Sequence, residues 1–427
     1  MLKFEFNQPN PTHTAVIFPD INGQLMSLSP QQRLAEACRL AEAVYLQVSY
    51  QTILNIKNPK AATLIGQGAI TELQEIIAQR DITLVIFDTS LSPIQQRNLE
   101  KALNVKVIDR TALILEIFGE RAQTKEGKLQ VELAHLTYQR SRLVRSWTHL
   151  ERQRGGGGFL GGPGETQIEL DRRIIDNKIL RIKKDLDKVK QTRQIQRQAR
   201  SRVPYPVVAF VGYTNAGKST LFNLLTAASV LAKDMLFATL DPSMGKVKLP
   251  SGREIILLDT VGFISDLPHE LIMAFRATLE EVLQADLLVH VRDIAFEKSS
   301  AQRQDVLDVL SNIGMEHIST SDKYIEVLNK VDLLTEASKE KLYHRLKSGQ
   351  VCMSALTGEG KDKLYQLIDE RLSKTHQIIE YKLSASDGKT YAWIHANSEV
   401  LTSMRRGETL FLKLKASPEV ISRLQNK

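Results

Sequence analysis

Apolar and polar positions follow three rhythms along the chain. Over residues 1–115, short apolar runs separate amphipathic stretches. Thr14-Ala15-Val16-Ile17-Phe18 predicts a buried strand, and residues 30–43 predict a helix with Pro30 near its start and Leu34, Ala37, Cys38 and Ala41 on one face. Tyr45 to Leu54 mixes β-branched and aromatic residues as a strand does, and a helix follows from about Ala69 to Gln79. Ile82-Thr83-Leu84-Val85-Ile86-Phe87 is the near-continuous apolar run of a strand covered on both faces. Ser92-Pro93 predicts a cap and first-turn proline, Val105 to Ile108 a further strand, and Thr111 the cap of the next helix. Together these elements predict a small α/β unit with a largely parallel sheet. Gly66-Gln67-Gly68 is a candidate second anion site, but two glycines without the rest of a fingerprint favour a plain turn.

The rhythm then changes. Leu129, Leu133, Leu136, Leu143, Trp147 and Leu150 recur at four-three spacing, and Ile168, Ile175, Ile179, Ile182, Leu186 and Val189 repeat it. Two helices, 127–152 and 167–200, should pack as an antiparallel hairpin. The first is about 40 Å long at the rise of an α-helix. Between them, ten residues, 155–164, contain seven of the chain's 23 glycines. A helical turn needs only about two to five residues, so the excess points to contact with a partner. Arg152 and Arg154 place charge at its base, and Phe159-Leu160 offers a stacking or apolar tip among Gly155, Gly156, Gly157, Gly158, Gly161 and Gly162. These ten residues, 152 and 154–162 together, are the candidate RNA-binding set.

Val203-Pro204-Tyr205-Pro206 stops the second helix, and strand–helix alternation returns to residue 374. Strands are expected at 207–211, 254–258, 286–291, 324–328 and 351–353. The tail, about 378–427, reads as strand (390–395), helix, strand (410–414), helix. The chain is thus an α/β multidomain protein, with units at 1–115, 116–202 (tip loop 153–166), 203–375 and 376–427.

Charge sharpens the middle segment. Residues 121–202 hold 20 Lys and Arg against nine Asp and Glu, a net of +11, whereas the whole chain carries +8 and the other 345 residues therefore −3. One basic segment suggests a localised polyanion contact. With 42% apolar and 25% charged residues the composition is that of a soluble globular protein. No apolar run approaches the roughly 18 residues of a membrane span, and the start lacks a signal-peptide pattern. Cys38 and Cys352 are isolated, without metal-ligand spacing, and fit a reducing cytoplasm.

The sharpest chemistry lies at Gly212-Tyr213-Thr214-Asn215-Ala216-Gly217-Lys218-Ser219-Thr220, between the strand 207–211 and a helix. Strand, G-x-x-x-x-G-K-S, helix is the setting of a phosphate-binding loop, whose backbone N–H groups cradle phosphate oxygens. Lys218 reaches the β- and γ-phosphates, and Ser219 can put its hydroxyl on Mg²⁺. Asp259-Thr260-Val261-Gly262 follows a second strand, with Asp259 placed to hold Mg²⁺ through water and the Gly262 N–H to meet the γ-phosphate. Thr239, within Phe237-Ala238-Thr239-Leu240-Asp241, stands where a switch threonine completes Mg²⁺ coordination. Asn329-Lys330-Val331-Asp332 follows another strand. Its Asp332 carboxylate can accept both the ring N–H and the exocyclic amine of guanine, an arrangement adenine lacks. Ser354-Ala355-Leu356 would close over the base. Many GTPases carry Gln directly after D-x-x-G to orient water, but Phe263 stands there, so intrinsic hydrolysis should be slow and completed in trans. Asn215 is a candidate K⁺ ligand. GTP, GDP and Mg²⁺ are therefore the expected ligands. A signalling switch with a protein partner, or separate chemistry in residues 1–115, are the competing readings; the basic segment and the absence of a lipidation motif disfavour the first, and the absence of a nucleophile–base pair the second.

The run from Arg154 through Gly155-Gly156-Gly157-Gly158-Phe159-Leu160-Gly161-Gly162-Pro163-Gly164-Glu165 to Arg173 resembles the HflX family of ribosome-associated GTPases. Glu126 to Ala134 and Asp259 to Ile264 support it. The resemblance implies a TRAFAC-class GTPase domain behind an α/β subdomain and a helical hairpin. It implies binding to the large ribosomal subunit, the glycine loop approaching the peptidyl transferase centre, and GTP-dependent dissociation of stalled ribosomes under stress. It implies a monomer, cytoplasmic, without integral membrane association, peripheral contact being left open. Some members also bind ATP through the N-terminal part, though residues 1–115 contain no ATP motif. Ser243-Met244-Gly245 departs from the Thr and basic residues frequent there in the family.

Overall fold

The computed structural model describes residues 12–22, 28–153, 163–200, 205–226, 237, 242–264, 281–374, 377–416 and 418–425, with side chains undescribed at 144–153, 163–168, 190, 193–200, 374, 377–378, 396, 399, 415, 418–419, 422 and 425. The first sheet is fully parallel, in the order β2 (Gln47–Ile56), β1 (His13–Ile21), β3 (Leu84–Phe87), β4 (Lys106–Asp109). Alternate residues face two cores. Val16, Leu84, Ile86 and Ile108 pack under α1 (Pro30–Glu42) and α4 (Arg110–Arg121). Ala15, Ile17, Val85, Phe87 and Val107 pack under α2 (Gln67–Gln79) and α3 (Pro93–Leu103). Covering both faces is what allows such unbroken apolar strands.

Helix starts follow local chemistry. Ser29 and Ser92 each form a capping box with the glutamine three residues on, Gln32 and Gln95, ahead of a first-turn proline. The expected cap at Thr111 is corrected: Asp109 caps α4, its Oδ1 accepting the Ala112 N–H at 2.9 Å, and Thr111 is buried within the first turn. A carboxylate reaches the N3 N–H as well as a hydroxyl does and adds favourable charge at the helix start.

α5 (Lys125–Gln153) and α6 (Pro163–Arg200) pair through Leu129, Leu133 and Leu136 on one side and Ile175, Ile179, Ile182 and Leu186 on the other. An Arg140–Asp176 ion pair at 3.3 Å fits the antiparallel hairpin. α6 begins at Pro163, earlier than expected, so Pro163 to Thr166 are helical rather than part of the tip. Arg142 docks α5 on the first sheet, donating to Asp109 Oδ2 at 2.7 Å and to the Leu91 carbonyl at 3.1 Å.

The second sheet runs β10 (Gln350–Cys352), β9 (Tyr324–Asn329), β8 (Leu287–Asp293), β5 (Val207–Val211), β7 (Glu254–Asp259), β6 (Ser243–Lys248). All pairs are parallel except β6 against β7, an edge strand that the periodicity did not predict. One core lies under α7 (Lys218–Thr226) and the helix Lys361–Lys374. The other is shared with α1 and α4 of the first sheet, so a continuous apolar layer joins the two parallel sheets.

The tail is corrected. Residues 390–395 belong to the helix Gly388–Asn397, and the strands are Gln377–Ser384, Glu399–Arg406 and Thr409–Ala416, antiparallel and closed by the helix Pro418–Gln425. Thr390, Tyr391, Trp393 and Ile394 look strand-like, but Ile394 faces Leu412 and Leu414 from a helix, and tertiary packing overrides that propensity. Cys38 and Cys352 are buried and free. Among the described residues no helix is long and apolar enough to cross a membrane, and no acidic, His or Cys cluster could hold a metal by itself.

Candidate nucleotide-binding site

The carboxyl ends of β5, β7 and β9 converge, and the three motifs sit there, at the usual ligand edge of an open α/β sheet. Gly212 (φ +152°) and Gly217 (φ +94°) bracket Asn215 in the left-handed region (φ +60°). Glycine is required at both ends by space as well as conformation. A Cβ would come 2.2 Å from the Val291 carbonyl oxygen at Gly212 and 2.2 Å from Asn329 Nδ2 at Gly217. The loop backbone is thus already folded as an anion-binding concavity at the start of α7.

Lys218 is 6% exposed, and its Nζ donates to the carbonyls of Gly212 (3.1 Å) and Tyr213 (2.9 Å). Burial pulls its pKa down to about 8, against the opposing pull of Asp259. An ammonium held by neutral carbonyls in a buried site gains from an arriving anion. Ser219 Oγ donates to Asp259 Oδ2 at 2.7 Å, with Asp259 fully buried. This donor pair, a hydroxyl against a carboxylate beside the phosphate loop, is the set that suits Mg²⁺. Thr214 Oγ1 is buried without a hydrogen-bond partner among the described residues.

The turn that follows β7 is zipped to the phosphate loop. Thr214 N–H donates to the Phe263 carbonyl at 2.7 Å, and Phe263 N–H to the Gly212 carbonyl at 3.1 Å. A Cβ on Gly262 would lie 2.8 Å from Thr214 Cα and 3.0 Å from Lys218 Nζ, so only glycine lets this strand end pass the loop. Thr260 donates its hydroxyl to the Phe210 carbonyl at 2.6 Å, which braces β7 on β5; Val261 is half-buried beside it. Phe263 is 5% exposed within the layer shared with α1 and α4, so the position often held by a catalytic Gln is a hydrophobic anchor. Phe237 is buried too, edge-on to Phe118 of α4 at 4.8 Å.

Asn329 is a brace: its Nδ2 donates to the Ala216 carbonyl at 2.8 Å and its Oδ1 accepts from the Ala355 N–H at 2.9 Å. One side chain therefore ties the phosphate loop to the segment expected over the base. Lys330 adopts φ +66° and pairs with Asp293 at 2.8 Å, and Val331 is buried, which presents Asp332 half-buried on a short 3₁₀ turn. Ser354 is buried and its hydroxyl accepts from the Thr357 N–H at 3.1 Å, while Leu356 stands 79% exposed at the rim. Gly212 to Thr220, Asp259 to Gly262, Asn329 to Asp332 and Ser354 to Leu356 are thus brought to one edge. Ala238, Thr239, Leu240 and Asp241 lie outside the described residues, as do Arg154 and Gly155 to Gly162. Arg152 falls in the last turn of α5, its side chain undescribed. Sequence reasoning missed Glu36, Phe118 and the Tyr213 hydroxyl, because their contacts link residues far apart in the chain.

Family models match in three consecutive stretches: a GTP-binding GTPase N-terminal region over 31–119, a GTP-binding GTPase middle region over 121–200, and a 50S ribosome-binding GTPase over 207–330. The GTPase HflX of Magnetococcus marinus is 48% identical over 97% of this chain and 96% of its own length. That of Escherichia coli is 48% identical over 78% of this chain and 77% of its own. A GTP-binding protein of the archaeon Sulfolobus solfataricus, solved with GDP, is 25% identical, with a TM-score of 0.45 over 84% of this chain and 99% of that one. With the phosphate loop and its companion motifs at one sheet edge, the family models and the two HflX relatives place the chain in the HflX family of ribosome-associated, GTP-hydrolysing P-loop proteins.

Proposed function

We propose that this chain binds the large ribosomal subunit in its GTP state and dissociates stalled or stressed ribosomes, with hydrolysis stimulated by the ribosome. The observation that carries the reading is the preformed phosphate concavity around Lys218, whose hydrolytic position is filled by buried Phe263. A site that binds phosphate but lacks a side chain to orient water is suited to activation by a partner. Residues 212–220 hold the phosphates. Ser219 and Thr239 would ligate Mg²⁺ with Asp259 behind them, and the ion would supply charge neutralisation for the nucleotide's phosphates. Asn215 is the candidate K⁺ ligand. Asp332 reads guanine, and Ser354 to Leu356 cover the base.

The net charge of +11 over residues 121–202 supports ribosomal RNA as the polyanion. Arg152 at the end of α5, with Arg154 and Gly155 to Gly162 between α5 and α6 in the chain, are the proposed contact, and Arg142 anchors α5 on the first sheet. The units 1–115, 116–202, 203–375 and 376–427 then act as subdomain, hairpin, switch and tail.

Co-sedimentation with ribosomes in GTP, GDP or a non-hydrolysable analogue tests the proposal. Analogue-dependent association with the large subunit, weakening steeply with salt, is expected. Equal recovery in all three nucleotide states favours a switch acting on a protein partner instead. Deleting residues 155–164 should leave GTP affinity intact and abolish subunit splitting.

A further inference from the structure

Tyr213 fills the second position of the phosphate loop, where its ring is 4% exposed and its hydroxyl donates to Glu36 Oε2 at 2.6 Å. Glu36 lies on α1 of the first sheet, 177 residues away. Its other oxygen accepts from Arg110 Nη2 at 2.6 Å, and Arg110 Nη1 donates to Asp88 Oδ1 at 2.5 Å. The Glu36 carboxylate, 9% exposed, is therefore fixed by a buried cation and spends its second oxygen on the loop.

The peptide carrying Tyr213 is the one that organises the phosphate site. Its carbonyl accepts from Lys218 Nζ at 2.9 Å, and the bonds of its two neighbours to Phe263 register the turn after β7 against the loop. Tethering the ring end limits rotation of that peptide and keeps the Lys218 ammonium aimed into the concavity. We propose that Glu36 is a positioning residue of the GTP site, acting through the Tyr213 hydroxyl on the carbonyl that holds Lys218. The docking of the first sheet on the GTPase sheet thereby becomes a determinant of nucleotide affinity, and by reciprocity nucleotide strengthens that docking. The Phe118–Phe237 contact is a second, independent link from the same helical layer to the residues preceding Thr239.

The inference rests on the phosphate-loop reading above. Its test is a double-mutant cycle in the full-length chain, reading the affinity for fluorescent GTP and GDP analogues beside thermal unfolding. A hydrogen bond to a charged group is lost in Tyr213→Phe, which should weaken both nucleotides about five- to tenfold. Glu36→Ala should weaken them equally, and the double variant no further, because both remove one interaction. Glu36→Gln keeps one acceptor oxygen for Arg110 and turns an amide N–H onto the Tyr213 hydroxyl, which can accept it, so the tether survives with its direction reversed and affinity should stay within about twofold of the parent. Multiplicative effects, or lowered unfolding temperatures with unchanged nucleotide affinity, would overturn the proposal. Should Glu36→Ala fail to fold, Tyr213→Phe decides alone, since it leaves Glu36 on Arg110: unchanged affinity refutes. An unmutated chain that binds no GTP sinks the phosphate-loop reading instead, so the two failures are distinguishable.

Discussion

The fully parallel first sheet and the mostly parallel second sheet treat their carboxyl ends in opposite ways. In the second sheet the strand ends carry glycines at positive φ, a buried lysine held by carbonyls and the Ser219–Asp259 pair, a concavity shaped for phosphate. In the first sheet the ends of β3 and β4 lead into Asp88 and Asp109, and the protein's own cations meet both: Arg33 and Arg110 at Asp88, Arg142 at Asp109. Burial alone would favour a neutral guanidine at Arg110, but Asp88 and Glu36 reverse this and hold it charged. The same architecture thus presents one edge to a ligand and uses the other to dock a helix hairpin and a neighbouring sheet. Side-chain charge at the strand ends, not topology, makes the difference.

Breaking each edge should have a different signature. Arg110→Met leaves Glu36 and Asp88 buried without their shared cation, and denaturant unfolding should report a loss of about 3–5 kcal/mol. Lys218→Ala should instead reduce GTP affinity by about 100-fold, measured by fluorescent-nucleotide titration, with the unfolding midpoint maintained or raised. Equal stability losses in the two variants would erase the contrast.

A milder probe is pH. Below about pH 8 Lys218 is protonated with or without nucleotide, so this group gives flat affinity. Above it the free protein must take up a proton to bind, because the phosphates raise the lysine's pKa in the complex. Affinity should therefore fall, by up to about tenfold per pH unit, and isothermal titration in buffers of different ionisation enthalpy should register proton uptake. The smallest effect is expected away from both edges. Arg140→Gln removes an ion pair whose side chains are 45% and 40% exposed, and should cost less than about 0.5 kcal/mol.

How much of this was legible in the sequence follows from how local each signal is. The phosphate loop, the cap at Ser92 and the doubly covered strands are written in contiguous residues, and chain order alone exposes them. β6 escaped because Ser243 to Lys248 offers a single buried apolar residue, Val247, and is defined by pairing with β7 rather than by pattern. The tail was misread because its aromatic and β-branched residues suit a strand until the sheet that packs against them exists. Phe263 could be seen to lack hydrogen-bonding chemistry; that it joins a shared core could not, since that core draws on α1 and α4, more than 100 residues upstream. The Tyr213–Glu36 bond is the extreme case, invisible without the fold.

The claim on which the rest depends is that this edge reads guanine through Asp332. Exchange of one acceptor for a donor, Asp332→Asn, should invert one of the two hydrogen bonds offered to the base and keep the other. GTP affinity should drop by about 100-fold or more while xanthosine triphosphate, which presents an acceptor in place of the exocyclic amine, gains affinity in the same assay. Retained GTP affinity in that variant, with no gain for the xanthine nucleotide, would contradict the account.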